Sequence, residues 1–245
     1  MTHDQYVELL ATNAAALTAS ARSTPIDAPV PSCPEWDVHA LLRHIGIHHR
    51  WVNANIHQAP EAGMVAFKAV ERAPAGEDAI DWVDVGVAAL ARDLRTVRPE
   101  RACWTWVDEQ TTGWWARRTA LETVVHRWDM QNAAGATEAF DPATAVDGID
   151  EYLTITPFRY RGGQPEAAGQ AIHVHATDAP GEWVLHLDPD GVTVTREHAK
   201  GDVAVRGPAY GLFLTLIGRA PASASGVDVL GDGELFERWR EQTKF

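Results

Sequence analysis

The stretch Arg117-Arg118-Thr119-Ala120-Leu121-Glu122-Thr123-Val124-Val125-His126-Arg127-Trp128-Asp129 decides how the rest of the chain is read. It spaces Glu122 and His126 one helical turn apart, so in a helix both side chains lie on one face, within reach of a common ion. A divalent ion such as zinc takes three or four protein donors, and the pair therefore needs partners elsewhere. Taken alone it stays ambiguous, because Glu122 can equally pair with Arg118 one turn earlier and leave His126 as a core histidine. The surrounding helix is expected over 114–134, with Trp115, Thr119, Glu122, His126, Met130 and Ala133 on one face and Gly135 ending it.

The partners come from a second helix. Val-Pro-Ser-Cys-Pro-Glu-Trp-Asp (30–37) ends in Asp37, a good N-cap for a helix over 38–55. One face of that helix holds Asp37, Leu41, His44, His48, Trp51 and Asn55, beside a mostly apolar stripe of Leu42, Ile45, His49, Val52 and Ile56. So wide a buried face belongs to an inner helix of a bundle. His44 and His48 repeat the one-turn spacing, although Ile45 stands where a zinc-peptidase His-Glu-x-x-His would need Glu. Three or four donors on two inner faces would be costly to bury unpaired, and a metal satisfies them together.

Composition bounds the remaining possibilities. At 245 residues, with 45% hydrophobic residues and ten tryptophans, the chain can form one or two domains with a sizeable core. A formal net charge of −13 argues against nucleic acid or an anionic membrane, since phosphate recognition relies on Lys and Arg. Small-molecule partners fit better. The N-terminal residues carry no basic segment followed by an apolar run, and no stretch is long and apolar enough to span a bilayer, so a cytoplasmic location is expected. Cys33 and Cys103 read as inert thiols, so any thiol chemistry needs a thiol from outside.

Along the chain, helices are expected at 3–22, 38–55, 78–97, 114–134 and 142–160, with an Ala/Pro/Gly-rich connection at 59–77. Arg-Gly-Gly-Gln-Pro (161–165) reads as a linker. Beyond it the period changes to that of strands at 171–177, 183–187, 192–195, 203–205 and 227–230, with helices at 208–218 and 232–242. Turn signals at 180–181 and 189–191 predict hairpins of an antiparallel sheet. The expected fold is α+β: a helical bundle over 1–162 followed by a small α+β domain over 163–245, with a cleft between them as the expected ligand site.

Two of these stretches carry a family resemblance. Val-Pro-Ser-Cys-Pro-Glu-Trp-Asp-Val-His-Ala-Leu-Leu-Arg-His-Ile (30–45) and the 117–129 segment resemble the two signatures of the mycothiol-dependent maleylpyruvate isomerase family, a branch of the DinB-like metalloenzymes. His-Ala-Thr-Asp (175–178), Gly-Glu-Trp (181–183), Ala-Val-Arg-Gly (204–207) and Leu-Ile-Gly-Arg (216–219) are similar to its C-terminal domain. The resemblance implies that His44, Glu122 and His126 hold a divalent metal, zinc by preference, with an open position for water or a thiol. It leaves His48 as a pocket-lining imidazole or a fourth ligand, and Asp129 as an imidazole-orienting or an exposed carboxylate. It makes Arg219 an anchor for an anionic substrate, against the alternative of a surface ion pair, while Cys33 and Trp36 read as packing.

The implied activity uses a low-molecular-weight thiol, mycothiol, as cosubstrate, in cis-trans isomerisation of maleylpyruvate or in transfer of the thiol to an electrophile. Coordination favours the thiolate, the competent nucleophile. The alternative is a non-catalytic protein that binds a small ligand or a partner and keeps a structural metal. Oligomeric state is not fixed by the sequence.

Overall fold

In the computed structural model, residues 1–159 and 167–243 are described. They form two compact units, Met1–Glu138 and Ala139–Phe245.

The first unit is a four-helix arrangement. Helix α1 (His3–Ala21) opens with a capping box in which Thr2 and Gln5 exchange side-chain and backbone hydrogen bonds. Helix α2 (Val38–His57) starts as expected at Asp37, whose carboxylate accepts from the Ala40 amide at 2.7 Å. Helix α3 (Asp78–Thr96) and helix α4 (Thr112–Ala133) complete the set, the last capped by Thr111. Both α1 and α2 pack on α3 and α4. The connection before α3 holds only two short 3-10 turns, at Pro60–Ala62 and Phe67–Ala69.

Close approach between α2 and α3 depends on Gly46, where an added Cβ would lie 2.2 Å from the Trp82 ring. The Arg50 guanidinium, one turn along α2, lies over the same ring, 3.8 Å from its centroid. The core beneath includes the fully buried Leu17, Leu41, Leu42 and Ile45 together with Met130 of α4. Helix α4 is buried nearly all round, which places its polar residues inside the bundle.

The second unit begins earlier than the expected limit at 162–163, which, like the linker at 161–165, lies outside the described residues. Helix α5 (Pro142–Arg159) belongs to it because it packs on α6 and β3, and Tyr152 of α5 donates its hydroxyl to the Thr243 carbonyl. The strands are β1 (Ala171–Ala176), β2 (Glu182–Asp188), β3 (Gly191–Thr195), β4 (Val203–Gly207) and β5 (Asp228–Gly231), with α6 (Ala209–Leu216) and α7 (Gly233–Thr243). The sheet order is β3-β2-β1-β4-β5. Both expected hairpins form antiparallel pairs, but the central β1–β4 pair is parallel, so the sheet is mixed. One sheet face carries buried Ile172, Val174, Leu185, Val203 and Val205, and α5, α6 and α7 pack against this sheet. The opposite face carries His173, His175, Glu182 and Arg206, as the period of two requires.

Among the described residues no helix is long and apolar enough to cross a membrane.

Candidate metal centre

The bundle brings together the three donors that the sequence singles out. His44 lies two turns into α2, and Glu122 and His126 are one turn apart on α4. One donor atom from each lies within 4.8 Å of the others. Glu122 Oε1 sits 3.1 Å from His44 Nε2 and 3.3 Å from His126 Nε2. Its other oxygen, Oε2, pairs with Arg118 one turn earlier, so the ion pair considered as an alternative reading coexists with the cluster. Arg118 thereby fixes the carboxylate and leaves Oε1 to the imidazoles.

Asp129 is fully buried rather than exposed, and His126 Nδ1 donates to its Oδ2 at 2.9 Å. The bond sets the tautomer that leaves Nε2 directed at Glu122, the arrangement in which a buried carboxylate supports a metal-bound imidazole. The Cys33 thiol also donates to Asp129 Oδ2, at 3.8 Å. Trp36 does more than pack: its ring lies 4.8 Å from that of His44 and stacks at 5.8 Å on that of His126. The Pro-rich segment before α2 therefore covers one side of the cluster, while the His44 side chain remains 38% exposed and marks its open side.

Electrostatics follow from this packing. Burial alone would raise the Glu122 carboxyl, but Arg118 and the two imidazoles outweigh it and hold Glu122 ionised, well below the usual carboxylate range. Burial lowers His44, with partial compensation from Glu122. For His126 burial also acts downward, yet the bonds to Asp129 and Glu122 prevail and raise its pKa. His48 is buried, which depresses it strongly, and its Nε2 finds no hydrogen-bond partner among the described residues. Its neighbour His49 bonds Thr123 Oγ1 at 2.9 Å and ties α2 to α4 beside the cluster.

Two imidazoles and one ionised carboxylate suit zinc and other borderline divalent ions, and three protein donors with an open side are the pattern of a reactive rather than a closed site. The donor set and the Asp129 support fit such an ion, and His48 stands outside the group of three donors. One turn further along α2 and one turn before Thr119 on α4, Trp51 and Trp115 pack at 5.2 Å with Trp104 and Trp106 into an aromatic wall.

Arg219 belongs to the second unit. Gly218, at φ 75°, ends α6, and the Arg219 amide donates back to the Leu214 carbonyl at 2.8 Å. This reversal fixes the direction in which the chain carries Arg219. Its guanidinium donates to the Ile217 carbonyl at 3.4 Å.

Sequence reasoning left Asp129 undecided and set Trp36 aside as packing. Asp129 stands one turn after His126, at the spacing that continues the 118, 122, 126 face, and that spacing was the available signal. The position of Trp36 depends on the path of residues 30–37, where Val30 and Trp36 close a hydrogen-bonded loop.

Residues 7–131 match the family model for the mycothiol maleylpyruvate isomerase N-terminal domain, and residues 143–238 match that for the C-terminal domain of the same family. A search of curated proteins finds no match. Among solved structures, a histidine-to-alanine variant of mycothiol-dependent maleylpyruvate isomerase aligns with a TM-score of 0.63 at 13% identity, covering 94% of this chain and 93% of that one. A second structure of mycothiol-dependent maleylpyruvate isomerase aligns with a TM-score of 0.58 at 12% identity over the same shares. At such identities the structural likeness establishes the fold. The two family models together span nearly the whole chain, which therefore belongs to the mycothiol maleylpyruvate isomerase family.

Proposed function

We propose that the chain is a metal-dependent enzyme that activates a low-molecular-weight thiol, mycothiol by family, toward a small electrophile such as maleylpyruvate. The observation that carries this reading is the convergence of His44, Glu122 and His126 with Asp129 behind His126 and one side open. His44, Glu122 and His126 would hold the divalent ion, zinc by donor type, and the bound ion would lower the pKa of a coordinated thiol toward neutrality.

The protein's own groups have defined tasks. Arg118 keeps Glu122 ionised and oriented, Asp129 holds the Nδ1 proton of His126, and Trp36 shields one side of both imidazoles from water. Arg219 is proposed to bind a substrate carboxylate, for which a guanidinium provides a bidentate fork. In the isomerase form, the sulfur adds to one carbon of the cis double bond, the resulting single bond rotates, and loss of the thiolate restores the double bond in trans. Nothing is oxidised or reduced. In a transferase form the thiol stays attached to the electrophile.

The test pairs metal analysis with turnover. Purified wild type is expected to hold a divalent ion that His44→Ala and His126→Ala lose, and to consume maleylpyruvate or another electrophile only when mycothiol is present. Equal metal retention in His44→Ala would show that the triad is not the site. Stoichiometric metal without thiol-dependent consumption of any electrophile would favour the non-catalytic binder.

A further inference from the structure

The second unit carries another cluster of donors, made from residues that take no part in the first. His173 and His175 stand two apart on β1 and so share a face of the sheet. Glu182 of β2 is the antiparallel partner of His175 and shares that face. His198 reaches the same place from the loop after β3. Glu182 accepts from both outer imidazoles, its Oε1 2.7 Å from His175 Nδ1 and its Oε2 2.9 Å from His198 Nδ1. The His173 ring centre lies 5.8 Å from that of His175 and 5.4 Å from that of His198. One donor atom from each of the four residues lies within 4.8 Å of the others.

Two further observations separate this cluster from a chance surface patch. His173 is only 8% exposed, and its Nε2 finds no hydrogen-bond partner among the described residues, although buried ring nitrogens are nearly always satisfied. The loop that delivers His198 is also held in place at both ends. Arg196 makes two 2.6 Å bonds to Asp150, and Asp202 accepts from the Ala171 amide at 2.8 Å. Between them, Gly201 lies so close to β1 that a Cβ there would fall 2.7 Å from the Ala171 carbonyl oxygen and 2.9 Å from the His173 nitrogen. The chain accepts this approach only with glycine, three residues after His198, whose ring meets that of His173 edge to face.

We infer that His173, His175, Glu182 and His198 form a second divalent transition-metal site, of zinc type, on the face of the C-terminal sheet opposite the one that carries Ile172 and Val174. Three imidazoles and one carboxylate match the borderline donors that zinc prefers. Donor atoms around a tetrahedral zinc ion lie about 3.4 Å apart, so the present spacing, within 4.8 Å, has to close by at most about 1.4 Å. The 77% exposed His198 side chain has room to make that adjustment. A bound ion would cross-link β1, β2 and the 196–202 loop and would give His173 Nε2 the partner it lacks. Arg206, opposite His175 on β4, is the nearby cation in the register, and its exposure lets water screen it.

The test is metal stoichiometry of the full chain after chelator stripping, by equilibrium dialysis against Zn2+ and by the visible spectrum of Co2+. Wild type is expected to take up two equivalents. His175→Ala/His198→Ala should lose one, and His44→Ala/His126→Ala should keep that same one. The single variant His198→Ala, altered only in an exposed loop, should lose it as well while its far-UV circular dichroism is unchanged. The inference is overturned if His198→Ala and His175→Ala/His198→Ala bind as much zinc as wild type, because Glu182 then simply accepts two imidazole protons. It is also overturned if wild type binds one equivalent that disappears in His44→Ala/His126→Ala. One equivalent in wild type that is kept in His44→Ala/His126→Ala and lost in His198→Ala would instead uphold the second site and count only against the metal triad proposed above.

Discussion

Replacing Asp129 by asparagine should weaken metal binding at the proposed centre, although Asp129 is not one of its three donors. The carboxylate is fully buried and accepts from His126 Nδ1 at 2.9 Å, so it makes the Nε2 lone pair more basic and fixes the ring. Losing such a support costs about 10–100-fold in metal affinity, or about 1.4–2.8 kcal/mol. The pH dependence distinguishes this from loosened packing. Asp129 also helps to raise the His126 pKa, so a proton competes with the metal more strongly in wild type than in Asp129→Asn. The variant's deficit should therefore be full above the raised wild-type His126 pKa and shrink as the pH falls through it. In the metal-free protein the same raised pKa stabilises the fold fully below the ordinary value of 6.5 and loses that contribution as pH rises through the folded value. Competition with a chromophoric zinc chelator at pH 8.5 and 6.5 measures both effects. A Kd within threefold of wild type at pH 8.5, or a deficit equal at both pH values, would falsify the assigned role.

Gly46→Ala should lower stability by about 1–3 kcal/mol, because its Cβ meets the Trp82 ring at 2.2 Å and the ring has to shift. An unchanged melting temperature would contradict that packing. His49 is fully buried and its pKa is lowered to about 3, with burial as the main cause. The unfolded chain thus binds a proton below pH 6.5 that the folded protein refuses, and stability should fall as pH drops from 6.5 toward 3, by up to about 5 kcal/mol. Urea unfolding of metal-free wild type and His49→Gln between pH 7 and 4 checks this, and parallel curves would count against it. Arg219→Lys should raise KM for a carboxylate substrate far more than it lowers kcat, since a point charge replaces a bidentate fork. Equal kinetic constants for the two proteins would remove Arg219 from substrate binding.

Most of the helices were legible because their apolar spacing and end signals are local. Asp37 and Thr111 stand where their helices begin, and the 59–77 connection contains only two short turns. Glu122, His126 and His44 were legible for the same reason, since a one-turn spacing on each of two inner faces is visible in one dimension. The features that escaped depend on tertiary contacts. Nothing near Asp129 in sequence says that it is buried, and Trp36 reaches the imidazoles only through the fold of residues 30–37. The parallel β1–β4 pairing joins strands separated by two others, and α5 gave no sign that its partners were α6 and β3. Likewise the alternation His173-Val174-His175 can be read in the sequence, but Glu182 and His198 join it only through strand register and the close approach at Gly201.

The closeness of Trp36 to the imidazoles of His44 and His126 has an optical consequence. An indole excited at this position has an imidazole ring 4.8 Å away on His44 and another 5.8 Å away on His126, and protonated imidazole is an efficient quencher of indole emission. Exchanging a proton for a metal ion, or bringing a sulfur ligand to the open side beside His44, should therefore change the fluorescence of this residue. The part of the signal that vanishes in Trp36→Phe would follow loading and thiol arrival in stopped-flow time, with no label attached to the protein.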